Sequence, residues 1–225
     1  MEKYDPAHYT RLVAEQHANF PPLTLPSEFS ELFEVNTLQI LIKLARYKFV
    51  ARLLKGADDV LEVGSGSGIG TIFLSQHVKH VTGLEINKHD FDAACSVNKR
   101  DNVVFKHKSI FEYKADRKHD AALAMDVIEH FKVEDGHKLV DRMASQCKPD
   151  GVVFIGTPSV HSYPYQSKYS QAAHIKCYDQ SELVALMDKY FVRTFPFSMN
   201  DEVVHTGHPK LAWYYFVIGV APRVQ

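Results

Sequence analysis

Between Val60 and Gly70 the chain reads Val-Leu-Glu-Val-Gly-Ser-Gly-Ser-Gly-Ile-Gly. Apolar residues lead into an acid, glycines follow at alternate positions, and an apolar helix-like segment comes next. The pattern predicts a buried strand, a tight turn and the start of a helix. Such a turn lets a ligand approach bare backbone, and the helix start offers free N–H groups. The spacing also sorts candidate ligands. A dinucleotide fingerprint needs G-x-G-x-x-G. From Gly64 the last position is Ile69 and from Gly66 it is Thr71, so both frames fail. A phosphate loop needs Gly-Lys followed by Ser or Thr, and this stretch has no lysine. What remains is E-x-G-x-G-x-G.

Strand and helix signals alternate from here on. The spacing predicts strands over 59–63, 80–86, 103–107, 120–127, 152–156, 191–197 and 212–220. Helices are predicted over 69–76, 88–98, 135–147 and 181–190. The alternation implies a doubly wound α/β sheet of seven strands, with ligand sites at the C-terminal strand ends. The helix-poor return before the final strand predicts that this strand is antiparallel. Pro149-Asp150-Gly151 predicts a turn ahead of the fifth strand. Residues 27–55 read as helical, and residues 1–26 as a short helix with an extended link. Two inserts break the rhythm: the N-terminal segment and a lid over 157–178. The expected organisation is a helical cap over 1–55 and one compact ligand-binding domain over 56–225.

The chain has 225 residues, 45% of them hydrophobic, which suits a sizeable core. A formal net charge of −1 without blocks of like charge advertises no nucleic-acid or anionic membrane surface. The N-terminus lacks a signal-peptide pattern, and no apolar run approaches the ~20 residues of a membrane span. Cys95, Cys147 and Cys177 are odd in number and scattered, as free thiols in a reducing cytoplasm are. Thirteen histidines bring metal or acid–base chemistry into view.

The E-x-G-x-G-x-G stretch after a strand resembles motif I of the class I S-adenosylmethionine (SAM)-dependent methyltransferases. The expected Rossmann-like sheet with its antiparallel end is similar to theirs. The resemblance implies that Gly64, Ser65, Gly66 and Gly68 lie beneath the methionyl part of SAM. It gives Glu62 a contact to the amino group through the turn or water, or else a role in ordering the turn. Glu85, at the end of the second strand, would accept the ribose hydroxyls, and Ile86 would press on the adenine. Ser109 and Ile110 stand where the family places adenine contacts, although many relatives have an acid there. Arg46 and Tyr47 resemble a pair directed to the SAM carboxylate; the alternative is an exposed arginine beside a packed tyrosine.

Met125-Asp126-Val127-Ile128-Glu129-His130-Phe131 contains D-x-x-E-H. It resembles the E-x-x-E-H of ubiquinone-biosynthesis O-methyltransferases and small-RNA 2′-O-methyltransferases, both metal-dependent. The RNA group has a further histidine after the fifth strand, for which His174 is the candidate. Thr157-Pro158-Ser159 resembles the Thr-Pro-Asn of relatives. By this resemblance Asp126, Glu129, His130 and His174 would hold a divalent metal, Mg²⁺ or Mn²⁺. Asp126 departs from the usual glutamate and has a shorter reach. In the other arrangement Asp126 contacts SAM or substrate, Glu129 caps a helix and His130 packs. His205 is a candidate general base, as is His130 if no metal is bound. A solvated hairpin loop is the other reading of the stretch around His205.

The expected function is methyl transfer from SAM to an oxygen of a small polar or anionic metabolite, such as a sugar, a phosphorylated intermediate or a surface-polysaccharide precursor. The polar lid motivates that acceptor. The alternatives are RNA 2′-O-methylation, N-methylation with a histidine base, and a SAM-binding subunit without catalysis. No nucleic-acid or membrane partner is expected. A monomer and a homodimer are both open.

Overall fold

The computed structural model describes residues 5–20 and 22–223. Residues 1–4 of the expected N-terminal helix and Pro21 of the link lie outside the described residues.

Residues of the central strands face alternately to either side, and both faces are apolar. Leu61, Ala122, Val153, Tyr215 and Val217 share one buried cluster. Their neighbours Val60, Ala121, Leu123, Phe154, Phe216 and Ile218 share the other. A period of two with both faces covered is what a sheet sandwiched between helices requires. The strands are β1 (Asp59–Val63), β2 (His80–Glu85), β3 (Val103–His107), β4 (His119–Met125), β5 (Cys147–Pro158), β6 (Phe191–Asn200), β7 (Val203–His205) and β8 (Tyr214–Pro222). They form one sheet in the order β3-β2-β1-β4-β5-β8-β6-β7. β1 to β5 pair in parallel. β8 runs antiparallel to both β5 and β6.

The sheet has eight strands where seven were expected. The polar stretch after 197 does not leave the sheet as a loop. Ser198 and Met199 are buried and pair with Tyr215 and Tyr214, so β6 continues to Asn200. Asp201 then takes a left-handed conformation (φ 49°) that aspartate tolerates, and the chain returns as β7. The Pro149-Asp150-Gly151 turn is a bulge inside β5: His119 pairs with Cys147, and Ala121 with Val152.

The helices are α1 (Pro6–Asn19), α2 (Ser27–Val35), α3 (Leu38–Leu53), α4 (Ile69–Leu74), α5 (Lys88–Val97), α6 (Val133–Gln146), α7 (Lys168–Ala173) and α8 (Gln180–Met187). The helical stretch read over 27–55 is two helices, because Asn36 is extended (φ −160°). α3 and α4 cover one face of the sheet through Ala45, Val50, Ala51, Leu54 and Leu74. α6 and α8 cover the other through Leu139, Val140, Met143, Leu183 and Met187. α5 packs on β2 and β3. α1 is capped by Asp5, whose side chain accepts from the Ala7 N–H, and it buries no residue. The lid has structure of its own: a 3-10 segment Val160–Tyr165, then α7, then a return beside Ser159 at Tyr178. Among the described residues no helix is long and apolar enough to cross a membrane.

α3 and α4 meet where the Tyr47 ring packs against Gly70. A Cβ on Gly70 would stand 2.0 Å from the ring. Gly70→Ala is therefore expected to destabilise the fold by about 1–3 kcal/mol, the range for overpacking. Urea denaturation against the wild type checks this.

Candidate active site

The glycine turn joins β1 to α4. The Gly64 and Ser65 N–H groups donate to the Leu84 carbonyl at 2.9 and 3.0 Å, which pins the turn to β2. Gly64 (φ 72°) is backed by Val127, whose Cγ2 would lie 2.5 Å from an added Cβ. Gly66 (φ 51°) faces the other way, and nothing lies within 4 Å of its Cβ position. The Gly66 N–H donates to Glu85 Oε2 at 2.8 Å, and the Asn87 N–H donates to Glu85 Oε1 at 2.7 Å. Glu85 thus buttresses the turn from the end of β2.

In front of the turn lies a cleft open to solvent. Gly64, Ser65, Gly66 and Ser67 line it from the turn, and Lys43, Arg46 and Tyr47 from α3. Met125 lines it from β4 and Asp126 from just beyond that strand, and Glu28 and Phe29 line it from α2. Two buried polar atoms of these residues, Arg46 Nε and Ser65 Oγ, have no hydrogen-bond partner among the described residues. Open backbone, orphaned polar atoms and flanking charges fit a ligand with an aminocarboxylate end, which SAM has.

Glu62 faces away from the cleft. It is fully buried, and its two oxygens accept from the Tyr47 hydroxyl at 2.7 Å and the Thr71 hydroxyl at 2.6 Å. Burial pushes its carboxyl up to about 7, against the pull of those two hydrogen bonds. Asp126, just past β4, holds a left-handed conformation (φ 56°), and its N–H donates to the Gly156 carbonyl at 3.0 Å. Its carboxylate forms an ion pair with Arg46. The Arg46 guanidinium also lies 3.9 Å from the centre of the Tyr214 ring, a cation–π contact.

Beyond Asp126 the chain makes a single 3-10 turn, Ile128–His130. Ligand-type atoms of Glu129, His130 and His174 come within 4.8 Å of one another there. Asp126 is not among them. Glu129 is fully buried; Oε2 accepts from the Thr157 hydroxyl at 3.0 Å, and Oε1 has no partner among the described residues. Burial first, and Asp126 next, push its carboxyl up to about 8. The Ile175 and Lys176 N–H groups donate to its carbonyl at 2.8 and 3.0 Å, fastening the lid. His130 Nδ1 lies 3.0 Å from the Ala173 carbonyl, and His174 Nδ1 lies 2.8 Å from Gln166 Oε1. A carbonyl oxygen only accepts, so each Nδ1 carries a proton, and in the neutral ring Nε2 is the nitrogen with the lone pair. Burial and then His130 lower the pKa of His174.

The other expected residues are scattered. Gly68 (φ 83°) precedes α4. Ile86 is exposed beyond β2, Ser109 accepts from the Phe111 N–H, and Ile110 is buried in the core. His205 lies in β7, its Nε2 3.3 Å from Asn200 Oδ1, and does not line the cleft. Sequence reasoning missed Glu28, Lys43 and Tyr214. No local pattern links the first two, and Tyr214 is hidden in an apolar strand.

The chain matches a family model described as a methyltransferase domain over residues 38–190, more than half its length. It belongs to that family, and its class is SAM-dependent methyltransferase. No curated protein matches it by sequence. Among solved structures it is similar to a possible histamine N-methyltransferase from Thermotoga maritima: 18% identity, TM-score 0.68, covering 86% of this chain and 94% of that one. It is similar to DhpI in complex with S-adenosylhomocysteine (SAH): 21% identity, TM-score 0.60, covering 96% and 95%. It is also similar to the N-methyltransferase NodS from Bradyrhizobium japonicum with SAH: 12% identity, TM-score 0.62, covering 80% and 86%. At these identities the likeness is one of fold.

Glu62 gives a pH signature. Its folded pKa of about 7 lies above the ordinary 4.5, so the folded chain holds a proton that the unfolded chain releases. That contribution is present below about pH 4.5 and lost as pH rises through about 7. Relative to Glu62→Gln, the wild type is expected to lose about 3 kcal/mol across this window, measured by denaturation at a series of pH values.

Proposed function

We propose that the protein transfers the SAM methyl group to an oxygen of a small acceptor, assisted by a divalent cation, Mg²⁺ or Mn²⁺, at Glu129, His130 and His174. The convergence of those three side chains carries the reading. Glu129 Oε1 is buried without a partner among the described residues, and two imidazoles have their Nδ1 atoms held, so that in the neutral rings Nε2 is the ligand atom. Holding the far ring nitrogen is how proteins orient histidine ligands. Mixed carboxylate and imidazole donors suit such a cation. When bound, it supplies a Lewis acid that lowers the pKa of the acceptor oxygen.

The chain's own residues do the positioning. The glycine turn and Arg46 hold the cofactor's methionyl end, and Asp126 keeps Arg46 in place. The lid, fastened to the Glu129 carbonyl, covers the acceptor and excludes water. Displacement at an already activated sulfonium methyl demands alignment more than acid–base power.

The acceptor we favour is a hydroxyl-bearing small molecule with a polar or anionic group, such as a sugar, a phosphorylated intermediate or a surface-polysaccharide precursor. The lid's polarity supports this less than the sequence suggests. Ser162, Ser167 and Ser170 are engaged in the lid's own hydrogen bonds, and the Ser159 hydroxyl donates to the Ala212 carbonyl. Near-zero net charge counts against an RNA acceptor. The three free thiols suit the cytoplasm, and a monomer or homodimer is expected. A second reading, N-methylation with His130 as base, draws support from the two N-methyltransferase likenesses.

Calorimetric titration of Mn²⁺ into SAH-saturated protein tests the cation. One site is expected in the wild type and none in His174→Ala. Gln166→Ala, which frees the His174 ring, should weaken binding about 10–100-fold. A wild type that takes up no Mn²⁺ sinks the metal reading and leaves N-methylation.

A further inference from the structure

Three acids stand near the cofactor end of the sheet, and all three are spent on the protein. Glu62 is bound by Tyr47 and Thr71, Glu85 by the turn, and Asp126 by Arg46. Glu28 differs. It comes from α2, outside the sheet, and lines the cleft beside the glycine turn. Its carboxylate meets Lys43 Nζ at 2.6 Å on one oxygen and Ser67 Oγ at 3.4 Å on the other. The Lys43 and Glu28 side chains are 32% and 45% exposed, so their pair contributes little to stability and exchanges readily.

We infer that Glu28 and Lys43 recognise the zwitterionic aminocarboxylate of the cofactor, and that α2 is a strap that this contact closes over the cleft. The inference rests on SAM being the cofactor. A carboxylate beside an ammonium is the charge complement of an α-amino acid: the ligand's ammonium goes to Glu28 and its carboxylate to Lys43. Exchanging one internal ion pair for two to the ligand leaves no charge unpaired, and charge-assisted hydrogen bonds are the strong kind.

The build of α2 suits a closing part. Within Ser27–Val35 only Phe29 is buried. Pro26 precedes the helix and the extended Asn36 follows it, so non-helical joints bound it on both sides. Glu28 neighbours that single anchor. A ligand that grips Glu28 therefore fixes the strap at the point where Phe29 already touches the cleft.

The test compares SAH with 5′-methylthioadenosine, which keeps the nucleoside and thioether but lacks the aminocarboxylate. Both are titrated calorimetrically into the full chain, and hydrogen exchange of the α2 amides is followed with each. Glu28→Gln and Lys43→Met should each weaken SAH about tenfold or more, the scale of a charge-assisted hydrogen bond. Each should leave methylthioadenosine within about twofold. In the wild type SAH should slow exchange across α2, and methylthioadenosine should not. Equal loss of both ligands in Glu28→Gln, or no loss of either, would overturn the strap. A wild type that binds neither ligand would overturn the cofactor assignment itself, and the strap with it.

Discussion

Glu62 is fully buried and receives one hydroxyl from α3 and one from α4, while its backbone belongs to β1. Three elements therefore share one carboxylate, and the site depends on this joint. α3 carries Lys43, Arg46 and Tyr47, and the glycine turn hangs between β1 and α4. The distance from the cationic side chains to the open backbone is set by how α3 sits against that turn. Gly70 contributes by leaving the Tyr47 ring the space that a Cβ would fill. A buried carboxyl is costly, and two hydroxyl donors with a raised pKa make it tolerable.

A second constraint lies at the end of β4. The left-handed Asp126 turns the chain sharply, and its side chain goes to Arg46 on the cofactor side. Glu129 and His130 follow on the 3-10 turn and meet the lid. Asp126 thus stands between the cleft beside the glycine turn and the cluster of Glu129, His130 and His174. Sparsely populated backbone conformations concentrate at such places because the surrounding packing over-determines them.

The parallel core was legible in the sequence because buried strands are continuous apolar runs, and β1 to β4 fall close to where their patterns lie. The limits of pattern appear at β6 and β7. Ser198, Asn200 and Asp201 read as loop, yet Ser198 and Met199 are both buried and paired with Tyr215 and Tyr214 in the sheet. In the site, the glycine turn and the D-x-x-E-H stretch stand out in the sequence as motifs, but only the structure brings Glu129, His130 and His174 together and sends Asp126 to Arg46 instead. Glu28, Lys43 and Tyr214 were not. Their contacts join segments far apart in sequence, with no periodicity to betray them. Glu62 shows the same limit from the other side. Its place in the motif is plain, but only Tyr47 and Thr71 reveal which way it faces.

The position of β8 has a consequence for synthesis of the chain. β8 is made after β6 and β7, yet it lies between β5 and β6. While residues 214–222 are still in the ribosome, β5 is an open apolar edge and the β6–β7 hairpin has no neighbour to join. An unpaired edge of this kind is a template for wrong pairing. Tyr214 belongs to that same strand and supports Arg46. The strand that closes the nascent sheet thus also completes the cofactor side of the site, so a chain halted before it emerges would have the glycine turn without its full arginine support.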